Sequence, residues 1–189
     1  MAATLTHAML EDLHRGCASI KLLAVPTGGS VDFKTLSFSA ADEIFTLKDT
    51  FQITQDDPST DEIKVDQNDE TIDTDVTTGE MKLQGDIPSV ASALLAYFFD
   101  AGQSAASVTA ATGETYTGAG FFKTPKEVMA SVLVVSASKK TAIAFARVKL
   151  VASLTQDNTS NPLCVRFAGT VLGNLKSGEG DFAVLKKSA

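Results

Sequence analysis

The sequence predicts a mainly β chain, an antiparallel β-sandwich or barrel with one flanking α-helix, on three observations. Several stretches alternate apolar and polar residues with a period of two, the pattern of half-buried strands. One run alone, residues 88–101, repeats with a period near 3.6. No strand–helix–strand alternation occurs, so the sheets are expected to be antiparallel rather than doubly wound. The 189 residues, 44% of them hydrophobic, are enough for a single domain, 1–189, with its own core.

Residues 1–16 carry Glu11, Asp12, His14 and Arg15 and lack an apolar h-region. No secretory signal is therefore expected, and the chain is placed in a reducing compartment. This segment reads either as a short helix using Met9, Leu10 and Leu13 or as a mobile tail that orders on assembly. Residues 17–25 (CASIKLLAV) read as a strand stopped by Pro26, Gly28 and Gly29. Residues 45–54 (FTLKDTFQIT) place Phe45, Leu47, Phe51 and Ile53 on one face of a strand, with Asp49 breaking that face at a bulge.

Residues 55–79 form an acidic surface excursion. Ten of the 23 acids lie within 56–80 against Lys64 as the only base there, and large apolar groups are few, so the segment cannot bury much of itself. Alternation resumes at 80–87, with Met81, Leu83 and Ile87 inward. The helix follows at 88–101 on a stripe of Val90, Leu94 and Phe98, with Asp86 or Ser89 as its cap and Gly102 at its exit. The small, polar residues 103–120 predict a loop with one edge strand near Thr115.

Residues 128–135 (VMASVLVV) are apolar on both faces, as in a central strand. Residues 141–155 form a long strand with Ala142, Ala144, Ala146, Val148, Leu150, Ala152 and Leu154 on one face and Ile143, Phe145 and Arg147 on the other. It pairs as a hairpin with 163–172 through a loop of polar residues, and a short strand, 182–185, closes the chain.

Catalytic and ligand-binding signatures fail on specific residues. His7 and His14 sit in a polar stretch and read as solvated, and Cys17 and Cys164 have small or apolar neighbours and read as core thiols. Asp66, Asn68, Glu70 and Asp73 offer oxygens at short spacing, but Thr71 stands where a calcium loop needs glycine. Gly113 and Gly118 have phosphate-loop spacing, but Ala119 replaces the required lysine. Asn158-Thr159-Ser160 has the form of a glycosylation acceptor without a signal to deliver it, and Lys186 and Lys187 are too few for a nucleic-acid patch. No enzyme activity, cofactor or metal is expected. A net charge of −7 repels phosphate, and no apolar run approaches the length of a membrane-spanning helix.

The order of elements from 45 to 100, a strand entering Gln55-Asp56-Asp57-Pro58, the acidic segment 61–75, the strand 80–87 and then the helix, resembles that of phage tail tube proteins, as does the late hairpin at 141–172. The resemblance implies a sandwich or barrel whose subunits join their sheets into rings, typically hexameric, stacked into a virion tube through which DNA passes. Its partners would be copies of itself and other phage tail proteins, with DNA contacted only in non-specific passage and no membrane involved. Synthesis would take place in the host bacterial cytoplasm. Asp56, Asp57, Asp61, Glu62, Asp66, Asp69, Glu70, Asp73 and Asp75 would then belong to an assembly arm between subunits or rings. Other virion components (a tail terminator, connector or decoration protein) and a non-catalytic adhesin or binding module remain as alternatives. The absence of tryptophan and the presence of only two tyrosines tell against a sugar platform.

Overall fold

The computed structural model describes residues 14, 16–64, 71–102, 105–156 and 162–188. Among these residues it is mainly β, with antiparallel sheets and one helix. The strands of the main sheet are β1 (Ser19–Ala24), β2 (Asp42–Ile44), β3 (Gln52–Gln55), β6 (Met81–Ile87), β11 (Val128–Val135), β12 (Thr141–Thr155), β13 (Cys164–Leu172) and β14 (Phe182–Lys186). Seven of these eight run in the order β2-β1-β11-β12-β13-β6-β3. β14 lies beside the first residues of β12, and β13 beside its last, so the two share one flank of that long strand. Three two-stranded sheets stand off this frame: β4 (Ser59–Lys64) with β5 (Thr71–Thr77), β7 (Phe99–Ala101) with β10 (Phe121–Pro125), and β8 (Ala106–Thr109) with β9 (Thr115–Gly118).

The core follows from register. Ile53, Leu83, Gly169 and Leu150 lie abreast across β3, β6, β13 and β12, and Ile20, Val134 and Ile143 across β1, β11 and β12. Gly169 has no side chain because none fits: a Cβ there would stand 2.8 Å from both Leu150 and Val148. The sheet rolls, so that Phe51 and Ile53 at one end share a hollow with Gly16 and Cys17, just before β1. Helix α1 (Ser92–Phe98) sets Leu94 and Tyr97 over Leu22 and Ile44 and buries Phe98 completely.

Several expectations are corrected by this geometry. Residues 45–54 are not one strand. Asp49 adopts a left-handed φ of 64° in a turn, which ends the extended run and leaves Phe45 60% exposed. The helix is shorter than 88–101. Neither Asp86 nor Ser89 caps it: Ala91 is its N-cap without a side-chain bond, and Phe99 leaves in extended conformation rather than through Gly102. Phe98 and Phe99 are both buried, and extended backbone sends consecutive side chains to opposite sides, which helical backbone does not.

In β12 the inward face changes phase. Two residues, Ala146 and Arg147, oppose the single Ser131 of β11, a bulge that turns Phe145 inward before it and Val148, Leu150 and Ala152 inward after it. Residues 103–120 contain two strands, β8 and β9, in a hairpin turning at Gly113. The expectations for residues 1–13 and for Asn158-Thr159-Ser160 lie outside the described residues.

Candidate assembly surface

The acidic excursion is itself a β-hairpin. β4 and β5 pair with each other and with no other strand among the described residues. The hairpin joins the main sheet through a narrow base. Asp56 N donates to the Glu80 carbonyl at 2.9 Å, and Lys82 of β6 holds Asp56 at 2.6 Å and Glu80 at 3.6 Å. Those carboxylates raise the Lys82 pKa, the Asp56 hydrogen bond most of all. Gly79 is needed at the base, since a Cβ there would meet the Asp56 carbonyl oxygen at 1.8 Å.

Of the predicted arm residues, Asp56 and Asp57 lie in the exposed entry to β4, Asp61 and Glu62 on β4, and Asp73 and Asp75 on β5. Asp61 and Asp75 stand directly opposite each other, both exposed. Asp66, Asp69 and Glu70 lie outside the described residues. Like charges directly across a strand pair oppose pairing, and a lone two-stranded hairpin is marginal in water. The arm is therefore a projection with little to hold it in place by itself.

Other strands are also open. β2, β3 and β14 each have a partner on one side only among the described residues, so their outer amides and carbonyls point away from the sheet. On β14, Phe182 lies abreast of Phe145 and Val184 abreast of Ile143, on the core face of the sheet, yet they are 46% and 66% exposed. The hairpin β8–β9 presents an exposed cross-strand apolar pair, Val108 and Tyr116.

The sequence does not single out this second surface. Its signal lies in two lysine pairs, Lys139-Lys140 and Lys186-Lys187, which come together once β14 is laid beside the start of β12. All four line one shallow hollow of about 220 Å³, and Lys187 N donates to the Lys140 carbonyl at 2.8 Å.

A hollow of about 500 Å³ is lined by His14, Cys17, Leu47, Phe51 and Ile53 among others. His14 is half-buried rather than fully solvated, with Nδ1 3.5 Å from Thr141 Oγ1, and burial lowers its pKa. Burial raises the Cys17 pKa, which keeps the thiol protonated and weakly nucleophilic. Cys164 is buried, with Sγ 3.3 Å from the Pro162 carbonyl. His7 lies outside the described residues. Among the described residues no three His, Cys, Asp or Glu side chains gather to hold a metal ion, and no helix is long and apolar enough to cross a membrane. The chain matches no protein-family model and no curated protein.

Proposed function

We propose that this chain is a virion structural protein that self-assembles, and that its assembly is a tail tube of stacked rings for DNA passage. The observation that carries this reading is the combination of open strand edges with a hairpin arm whose strands pair with no other strand among the described residues. Unpaired edges invite addition of another chain, and a closed ring satisfies each edge with the next copy of the same surface. The exposed apolar residues of β14 and of β8–β9 would be buried in such contacts. A net charge of −7 also suits a conduit for DNA, because a basic lumen would bind phosphate and slow transit.

Deletion of residues 57–78 tests the reading. β4 and β5 contribute no pairing to the main sheet, so the shortened chain is expected to keep its melting transition as a monomer. Electron microscopy of the full-length chain should show rings or tubes, and the deletion should show none. A full-length chain that stays monomeric at high concentration refutes self-assembly.

A further inference from the structure

We propose that the acidic hairpin β4–β5 of one copy docks along the open edge of β14 in another copy, a contact that rests on the self-assembly reading and assigns its two faces. Three features meet at this pair of surfaces. The first is charge. The segment 56–80 holds ten acids against one base, whereas the remainder of the chain holds thirteen against fifteen. Within that nearly neutral remainder, Lys139, Lys140, Lys186 and Lys187 crowd the end of β14 around one hollow. Lys139, Lys140 and Lys187 form no ion pair among the described residues.

The second feature is the hairpin's internal conflict. Asp61 and Asp75 face each other across the strands, and a cationic surface brought against them would turn a repulsive pair into an attractive one. The third is the acceptor edge. β14 is flanked by β12 on one side and, among the described residues, by no strand on the other, and Phe182 and Val184 extend the core face into solvent there. A strand laid against that edge would satisfy the outward amides, and the exposed Val76 of β5 would bring apolar surface to Phe182 and Val184. The arm supplies two free strand edges and the complementary charge.

Charge reversal in the full-length chain tests this, read by sedimentation velocity with circular dichroism as the check on folding. One variant places lysines on the arm (Asp57→Lys, Asp61→Lys, Asp75→Lys), cutting its charge from −9 to −3, and a second reverses the edge (Lys139→Glu, Lys140→Glu, Lys187→Glu). Each alone should raise the concentration at which association is half complete by about tenfold or more. An equimolar mixture should associate more than either variant alone, because the unaltered acidic arm of the second variant then meets the unaltered lysine edge of the first. Raising salt from ~0.1 M to ~1 M, which shortens the screening length from about 10 Å to about 3 Å, should weaken wild-type association. If the wild type associates and both variants associate equally well, the docking is overturned while self-assembly stands. If the wild type does not associate at all, both ideas fall.

Discussion

Arg166 of β13 grips Asp86 of β6 with two hydrogen bonds, Nε to Oδ1 at 2.7 Å and Nη2 to Oδ2 at 2.8 Å, across strands at directly opposed positions. Asp86 is only 7% exposed, and its backbone is also engaged: its N–H donates to Thr50 Oγ1, and its carbonyl accepts from Leu47 N. The pair thus ties the turn before β3 to the middle of the sheet. Removing the guanidinium leaves a nearly buried carboxylate without its counter-ion, which costs more than removing both charges together. Arg166→Ala should destabilise the chain by about 1–3 kcal/mol in urea unfolding. The double variant with Asp86→Ala should recover part of that loss. Additive losses would mean that the two side chains act independently.

Gly79 governs how the arm leaves the sheet. In Gly79→Ala the new methyl collides with the Asp56 carbonyl, a backbone atom that cannot swing aside, so the arm base must shift. Overpacking of this kind costs about 1–3 kcal/mol where the structure resists. Here the strain falls on a projecting element, so the expected result is near-normal thermal stability with weakened association by sedimentation. Gly113→Ala is the control. Unlike Gly79 it has a positive φ, 87°, with open space around it, so alanine strains only its own turn on the other hairpin, and association should weaken less than in Gly79→Ala.

The helix can be graded by burial. Phe98 is fully buried and Leu94 only partly so, with Leu94 facing the hollow beside Leu22 and Ile44. Phe98→Ala should cost about 3–5 kcal/mol. Leu94→Ala should cost clearly less, and equal losses in a denaturant titration would contradict the packing.

Long strands were legible in the sequence because their patterns are local. β11 and β13 stand within a residue of expectation, and β12 stands at its predicted bounds, since runs such as VMASVLVV admit little else. What failed were the features decided by a partner. The inward face of β12 depends on a bulge opposite Ser131, and no periodicity within β12 announces a mismatch with β11. The apparent strand 45–54 broke at Asp49, whose left-handed backbone was visible only as one odd residue in an otherwise good pattern. The arm was legible as an acidic stretch. Its β pairing was hidden, because the one β-branched face of TIDTDVT, Ile72, Thr74 and Val76, is short and set in an acidic stretch that reads as a surface loop. The lysine cluster was invisible until β14 had a neighbour, since its two pairs are 46 residues apart, from Lys140 to Lys186.

The bulge in β12 has its own anchor. Ser131, fully buried, donates from Oγ to the Ala146 carbonyl at 2.7 Å, while Ala146 N donates to the Asp181 carbonyl, so both polar groups of the bulged residue are held. Ser131→Ala removes the donor and should cost about 1–3 kcal/mol through the buried carbonyl it leaves behind. Ser131→Cys keeps nearly the same volume with a weaker donor, so it should fall between wild type and alanine. If alanine is as stable as serine, the hydrogen bond does not secure the bulge.

Stability should fall on acidification in two separate ranges. Burial lowers the His14 pKa, so the folded chain resists protonation while the unfolded chain takes up a proton near pH 6.5. The contribution is complete above that value and is lost as pH drops through it. The Asp32 carboxyl is also lowered, first by its hydrogen bond from Lys176 and then by the backbone N–H of Lys34. Its contribution is present above the ordinary carboxylate range near pH 4 and disappears below it. Melting temperature measured against pH should therefore decline as pH falls below about 6.5 and again below about pH 4. His14→Gln should flatten the first decline and leave the second, and Lys176→Met should do the reverse. A first decline that survives the His14 substitution would assign that titration to another group.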